Sequence, residues 1–529
     1  MLPRLSAAAA AAGRAATRRR STTAAAAAAA YASSDAAADA TRAAIAADGA
    51  WPLSLSPPSS SSNTNDIYDA IVVGLGAHGS SALYHLARRL AAEAAADGGR
   101  RRPRVLGIEA HAVAGHSRAS SGGDTRITRQ AYFESPLYVP LLRRSARLTR
   151  ELEGLTQARL FWRTGLLHAG GRLYEGALVS ARQHGVAHEA LRWGPPGDDE
   201  TNGRWPGVRL PAGTPVLYEP GAGVLAPERM IRAHAAAAVA TGAADVLCGD
   251  GAARWGRDGG GGGARGGGVA VETSSGRVFA ARRALVLAAG AWMPRLVPEL
   301  RGWAVPRRYT VAWLEPPAEG GAEAAAASYA YGAFPPFLME EPGTGVPFYG
   351  FPAWPHPGVG GGVGGGGGRE GTRRRAVKLG AFAPSSPDLT AGGGDPGASL
   401  DRAMRPSDEA EVRRFADACL PGLKGGKLAD FAACIFTDTP DSHFLLDAHP
   451  RSAGDDGSAR VILCSACSGH GFKLSPAVGE ALAEMAVGGR GGAGRGGGGR
   501  DAIEAALALH RLRPERPGLA EVLERFREG

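Results

Sequence analysis

The sequence predicts an α/β fold of two or three domains, one of them a Rossmann-like dinucleotide-binding domain. Three observations carry this. The chain has 529 residues, more than one simple core accommodates. Its hydrophobic content, 44%, is that of an ordinary globular protein. The stretch DIYDAIVVGLGAHGSSALYHLARRL passes from a strand-like run through G-x-G-x-x-G into a helical pattern.

The elements follow in order. Ile67 to Val73 is a short apolar strand. Gly74, Gly76 and Gly79 form the glycine motif, and Ser80 to Leu90 has helical spacing, with Leu83, Leu86 and Leu90 on one face. An Ala/Arg-rich loop, Ala91–Pro103, leads to a second strand, RVLGIEA, with Glu109 near its end. Strand, glycines, helix, strand and acid in this order point to a bound dinucleotide. The glycines allow a tight turn and close approach to a pyrophosphate, which rests on the helix N-terminus. Glu109 is then placed to accept from the adenosine ribose.

This unit alone suits a nicotinamide or a flavin. A nicotinamide enzyme normally continues into another regular βαβ repeat. Here the chain enters a Gly/Ser loop and a basic turn, DTRITRQAY, which favours a flavin. Further on, LVLAAGAW (Leu285 to Trp292) reads as a strand entering a glycine turn at Gly290. SGHGFKLSPAVGE reads as a glycine loop, with Gly469 and Gly471, capping a helix that starts near Ser475. Free N–H groups there suit the electron-rich carbonyl edge of a flavin.

Composition excludes several other classes. No run of about 20 residues is both apolar and uncharged, so no membrane span is expected. The net charge of +9 comes largely from arginine in the leader and in Gly/Arg loops, with no basic, aromatic-interleaved stripe for nucleic acid. Five cysteines make no disulfide scaffold. Cys464 and Cys467 form one C-x-x-C, half of what a zinc site needs, so no metal is expected and a redox pair is the alternative use. The first 65 residues, rich in Ala, Arg and Ser and followed by PPSSSS, read as a transit peptide and linker for a mitochondrion or plastid. The end, RFREG, is not a peroxisomal tripeptide. Glycine-rich stretches around 259–268, 358–368, 392–394 and 488–499 read as lengthened surface loops.

The chain has only four lysines among 60 basic residues: Lys378, Lys424, Lys427 and Lys473. Where arginine serves as the general surface cation, a retained lysine marks a position that needs a compact charge of tunable pKa.

These pieces resemble a known family. IVVGLGAHG, GDTRITRQAY, RWPGVRLP, YEPGAGVL, LVLAAGAW, FYGFPAW, VKLGAF, ACIFTDTPDSHFLLD and SGHGFKLSPAVGE are similar, in order, to the monomeric sarcosine oxidase, N-methyltryptophan oxidase and pipecolate oxidase group within the glycine/D-amino-acid oxidase superfamily. The resemblance implies a Rossmann-like FAD-binding domain with a discontinuous mixed-sheet substrate domain. Expected boundaries are 66–160, 215–297 and 433–529 for the FAD-binding parts, and 161–214 and 298–432 for the substrate parts. It implies FAD held covalently through Cys434, a thiol that composition alone reads as a small buried residue. Arg129 and Lys473 would grip a substrate carboxylate, and two cations on one carboxylate fix its orientation. Arg126 would lie beside the flavin ring, Lys378 would favour electron transfer to oxygen, and Tyr349 is a retained pocket residue. Phe382 and Phe436 stand where the sarcosine pattern has histidine and tyrosine, which makes the pocket more apolar and a bulkier amine such as pipecolate more credible.

The expected activity is FAD-dependent oxidation of a secondary-amine amino acid to an imine, with oxygen reduced to hydrogen peroxide, by a monomer. Two alternatives stay open: a dehydrogenase of the same fold with another acceptor, and a flavin-binding thiol sensor working through Cys464 and Cys467.

Overall fold

β1 (Asp66–Val73) is the centre of the first of three sheets. It pairs in parallel with β2 (Val105–Glu109) on one side and β12 (Val278–Leu287) on the other. β9 (Ala244–Cys248) extends the parallel set beyond β2, and β19 (Arg460–Ser465) extends it beyond β12. β10 (Ala252–Arg257), β11 (Val269–Thr273) and β18 (Leu445–Ala448) add antiparallel edges. Ile71, Val73, Leu285 and Leu287 are fully or almost fully buried, as continuous apolar strands covered on both faces must be. The structure, a computed structural model, describes residues 66–99, 101–257, 268–318, 322–355, 373–450, 460–465, 467–487 and 505–528, apart from 506, 509 and 512. The leader and most of the glycine stretches lie outside these residues; 392–394 lie within, in and just after a tight turn at Ala391–Gly393.

Helices with small residues cover this sheet. α1 (Ala77–Ala96) follows the glycine turn, and α4 (Pro227–Ala240) and α6 (Ser475–Val487) pack on it. A Cβ at Gly479 would lie 2.2 Å from Ser81 Oγ, so only glycine permits this helix approach. α1 runs six residues past the expected stop at Leu90, because AAEAAA continues the helix instead of opening a loop. α2 (Val139–Thr156) buries Leu141, Ser145, Leu148 and Leu152, one helical face. It is tied to α6 by the Arg144–Glu480 ion pair.

The second sheet is ordered β17-β13-β16-β15-β14-β5-β7-β6, where β5 is Leu167–Ala169, β6 is Glu189–Arg192 and β14 is Phe337–Glu340. Its central strands for function are β13 (Val305–Glu315), β15 (Pro347–Phe351), β16 (Val377–Ala381) and β17 (Lys427–Asp438). A small third sheet joins β3 (Arg126–Thr128), β8 (Gly223–Leu225) and β4 (Phe161–Arg163).

Three expected boundaries shift. β7 (Pro215–Tyr218), placed by the sequence in the FAD-binding part, pairs with β5 and β6 in the second sheet. β4, placed in the substrate part, belongs to the third sheet. β17 stays paired with β13 from Lys427 to Asp438, so the change at 432/433 falls inside one strand and Cys434 belongs to the second sheet. Strand pairing, which is long-range, decides membership here; local composition carries no trace of it.

Candidate active site

The C-terminal ends of the parallel strands converge where such folds bind ligands. Gly74 follows β1 with φ +86°, and a Cβ there would lie 2.6 Å from Ala288 O. A Cβ on Gly79 would lie 1.8 Å from Gly74 O, so the turn closes only with glycine. Gly76, the residue before α1, has nothing within 4 Å of its Cβ position and no side-chain cap, and the first turn of α1 carries no acid. That leaves an open, donor-rich helix N-terminus suited to a pyrophosphate. Glu109, at the end of β2, accepts from Leu75 N at 2.9 Å and His111 N at 3.0 Å, and its carboxylate lies 3.4 Å from His116 Nε2. Burial alone would raise its pKa, but those bonds outweigh it and hold the carboxyl below the usual range. Donor atoms of Glu109, His111 and His116 lie within 4.8 Å of one another, a grouping that the sequence did not suggest. Gly290 turns the chain after β12 with φ +52° and open space at its Cβ position. The residues present therefore fit FAD: Gly74, Gly76, Gly79, Glu109 and Gly290 lie at or just beyond the C-terminal ends of the adjacent parallel strands β1, β2 and β12.

The second sheet supplies the adjoining wall by strand alternation. On β17, Ala433 and Ile435 face a small core while Cys434 and Phe436 face the site. On β16, Val377, Leu379 and Ala381 face the core and Lys378 faces the site. On β15, Phe348 is core while Tyr349 and Phe351 line the site. Gly380 makes room for the Tyr349 ring, since a Cβ there would come within 2.6 Å of it. Gly469 makes room for Phe436 and Phe382 in the same way.

These side chains enclose a cavity of about 670 Å³ that also reaches Arg126, Arg129, His470 and Lys473. Its walls are apolar at Phe382, Phe436, Leu338 and Val311, with cations at the edges. Such a cavity takes an apolar body bearing an anionic group.

Four cations surround it, each held differently. Arg126 donates to the carbonyls of Ser120 (2.6 Å), Gly122 (2.7 Å) and Thr125 (2.8 Å), which fixes the guanidinium against its own loop. Lys378 Nζ donates to Gly123 O at 2.5 Å and Thr125 Oγ1 at 3.2 Å. Burial, then the nearby Arg126, pushes its pKa down to about 7. Lys473 Nζ donates to His470 O at 2.8 Å; burial, then Arg129, pushes it down to about 7. An anion placed beside either ammonium would offset what burial costs its charged form. Arg129 differs from expectation. Its Nη2 is 2.7 Å from both oxygens of Glu134, and its guanidinium lies over the Tyr132 and Phe133 rings. It lines the cavity, but with a resident carboxylate already in its fork.

The Cys434 thiol is half-buried and its pKa is raised by burial, with Arg126 and Lys378 offsetting only part of the rise. Cys464 and Cys467 are free thiols, also pushed up by burial, which suppresses the thiolate that redox exchange needs. Gly471 is filled around by Cys467, Phe444 and His78, so it is a packing glycine and does not line the cavity.

Several residues escaped the sequence reading. Glu134 has a weak signal, five residues after Arg129, since a buried arginine needs an acid. Glu228 accepts from Gly123 N (2.8 Å) and Asp124 N (3.2 Å) and so holds the left-handed turn that presents Gly123 O to Lys378. It is about a hundred residues away, and no local pattern announces it. Tyr132 and His470 hydrogen-bond at 2.6 Å beside Lys473.

Comparison with known proteins agrees with this geometry. Residues 69–485 match the family model described as DAO, FAD dependent oxidoreductase. The chain is 33% identical to a monomeric sarcosine oxidase of Streptomyces avermitilis over 434 residues, 80% of this chain and 94% of that protein. It is 29% identical to an N-methyl-L-tryptophan oxidase of Citrobacter koseri, over 80% of this chain and 95% of that one. Among solved structures, NikD, an unusual amino acid oxidase of nikkomycin biosynthesis, superposes with a TM-score of 0.59 at 21% identity, over 80% of this chain and 94% of NikD. Glycine oxidase from Geobacillus kaustophilus gives 0.57 at 19%, over 81% and 96%. Those two likenesses speak to the fold. With its strand-end dinucleotide cradle and the match across most of its length, the chain belongs to the DAO family of FAD-dependent oxidoreductases, acting on CH–NH donors.

Proposed function

We propose that the protein is an oxidase of a secondary-amine amino acid with an apolar substituent, of the N-methyl or cyclic type. The observation that carries this is the single cavity in which Lys473 and Arg129 meet Phe382, Phe436 and Leu338. The sarcosine and N-methyltryptophan oxidase relatives support the substrate class. Bound FAD would supply the oxidant, taking a hydride equivalent from the C–H beside the amine nitrogen, while the nitrogen loses its proton and the C–N bond becomes C=N. Lys473, with Arg129, holds the carboxylate, and a carboxylate there restores the proton that burial disfavours. The apolar walls exclude water and carry the amine's body. The imine product is then hydrolysed or rearranged, and oxygen leaves as hydrogen peroxide. The test is peroxide release from purified protein against a panel of N-alkyl and cyclic amino acids. Turnover confined to primary amines, or absent without an added acceptor dye, would sink this reading.

FAD attachment through Cys434 belongs to the same proposal. Cys434 faces the cavity from β17; burial raises its pKa on balance, and the nearby Arg126 and Lys378 offset part of that rise and would stabilise a thiolate when it forms. Wild-type protein is expected to stay yellow after acid precipitation, and Cys434→Ala to release all its flavin. Retention in Cys434→Ala, with loss in Cys464→Ala or Cys467→Ala, refutes the assignment.

Lys378 is proposed to favour oxygen reduction by offering positive charge where a superoxide-like anion develops. Lys378→Met is expected to slow flavin re-oxidation by about 10²–10³, the usual loss for one such electrostatic group, while leaving reduction by amine unchanged. Equal slowing of both half-reactions in rapid-mixing experiments would show a general structural role instead. The protein is further proposed to act as a monomer and to be directed to an organelle by its Ala/Arg/Ser-rich leader.

A further inference from the structure

We propose that Tyr309, which does not line the amine cavity, is a positioning residue that sets how large an amine the enzyme accepts, by holding the Phe436 ring in place. The inference rests on the oxidase reading above and adds to it the element that limits substrate size. Phe436 is part of the cavity wall, while Tyr309 is not among the residues lining that cavity and is buried. On β13, Tyr309 stands directly opposite Cys434 of β17. Cross-strand partners share a sheet face, and strand alternation puts Phe436 and Asp438 on the same face as Cys434. The two rings therefore meet. Their centres are 4.2 Å apart and their planes differ by 25°, a stacked pair.

The prop is itself pinned. The Tyr309 hydroxyl donates to Asp438 Oδ2 at 2.8 Å. Tyr309 is thus held at its backbone by the β13–β17 pairing and at its far end by a residue two positions beyond Phe436 on β17. The ring and its support ride on the same two strands, so they keep their spacing when the sheet shifts.

The other side of Phe436 is closed by the glycine loop. A Cβ on Gly469 would lie 2.7 Å from the Phe436 ring and 3.2 Å from that of Phe382. Ser468 N donates to Thr437 O at 3.0 Å, which ties this loop to β17 beside Phe436. The wall continues from Phe436 to Phe382 at 6.4 Å and from Phe382 to Tyr349 at 5.2 Å between ring centres. Phe436 therefore sits in a slot between Tyr309 and the loop. A smaller side chain at position 309 leaves a void behind the ring, and a ring that falls back into it enlarges the cavity. Phe436 offers no polar side-chain atom, so its placement selects by size.

The test compares kcat and KM of flavin-loaded Tyr309→Leu and wild type for two probes, sarcosine and N-methyl-L-phenylalanine. The ratio of kcat/KM is expected to shift towards the larger amine by about tenfold, the scale of size selection in an apolar pocket, and to do so chiefly through KM. Tyr309→Phe keeps the ring but frees it from Asp438; it should shift the ratio less and in the same direction, and it guards against misfolding of the leucine variant. Asp438→Asn keeps an acceptor for the hydroxyl and should retain the wild-type ratio. A merely structural role would lower both rates together and leave the ratio alone. Crystals of Tyr309→Leu are expected to show the Phe436 ring displaced towards β13. An unchanged ratio in flavin-loaded Tyr309→Leu, or a Phe436 ring that keeps its place in those crystals, overturns the proposal. If wild-type protein oxidises no secondary amine, the oxidase reading fails, and the position of Phe436 in the crystals still decides whether Tyr309 holds it.

Discussion

Arg129→Met is expected to lose both stability and substrate affinity, and the two losses separate cleanly. Arg129 is almost fully buried and its fork is filled by Glu134, which burial would otherwise drive towards the neutral acid. Removing the guanidinium leaves a buried carboxylate without its partner, which costs about 3–5 kcal/mol. Chemical denaturation should show this as a lower midpoint. If Arg129 also holds the substrate carboxylate, KM should rise by a factor corresponding to about 2–5 kcal/mol, the cost of truncating one member of a buried charge pair. Glu134→Gln added to Arg129→Met removes the stranded charge. The double variant should regain much of the stability and none of the affinity. Recovery of both would confine Arg129 to a structural role, and an unchanged KM in the single variant would remove it from the substrate site altogether.

Gly79→Ala is expected to abolish FAD binding. The added Cβ would lie 1.8 Å from the Gly74 carbonyl oxygen and 3.3 Å from Ala288 Cβ. The oxygen is backbone and cannot swing aside, so the turn between β1 and α1 must open. That moves the donor-rich N-terminus of α1 away from the pyrophosphate and disturbs a fully buried layer that includes Ala82 and Leu83. The purified variant should lack flavin absorbance near neutral pH and unfold at lower temperature than wild type. Gly76→Ala is the control: open space surrounds its Cβ position, so the ligand-free fold should persist while flavin affinity falls. A Gly79→Ala protein with full flavin content would show that the turn is not the cradle.

The sequence by itself determined the dinucleotide unit, because its turn, helix start and strand end follow one another in the chain. Gly74, Gly76, Gly79, α1 and Glu109 lie within a single stretch, and their spacing encodes a turn, a helix start and a strand end. The α6 start at Ser475 was legible for the same reason. The lysine economy marked four positions alike, Lys378, Lys424, Lys427 and Lys473, of which Lys378 and Lys473 line the cavity. What only the tertiary structure decided depends on partners far apart in the chain. β17 joins the second sheet because it pairs with β13 over its whole length, and that pairing aims Cys434 and Phe436 at the cavity while sending Ile435 to the core. Glu134 is only five residues from Arg129, but the pair forms because the fold buries both and an unpaired guanidinium there is costly. Glu228 braces the Gly123–Asp124 turn from α4. The low pKa of Lys378 belongs to its surroundings: the charge is expensive there because the fold removes water and sets Arg126 beside it.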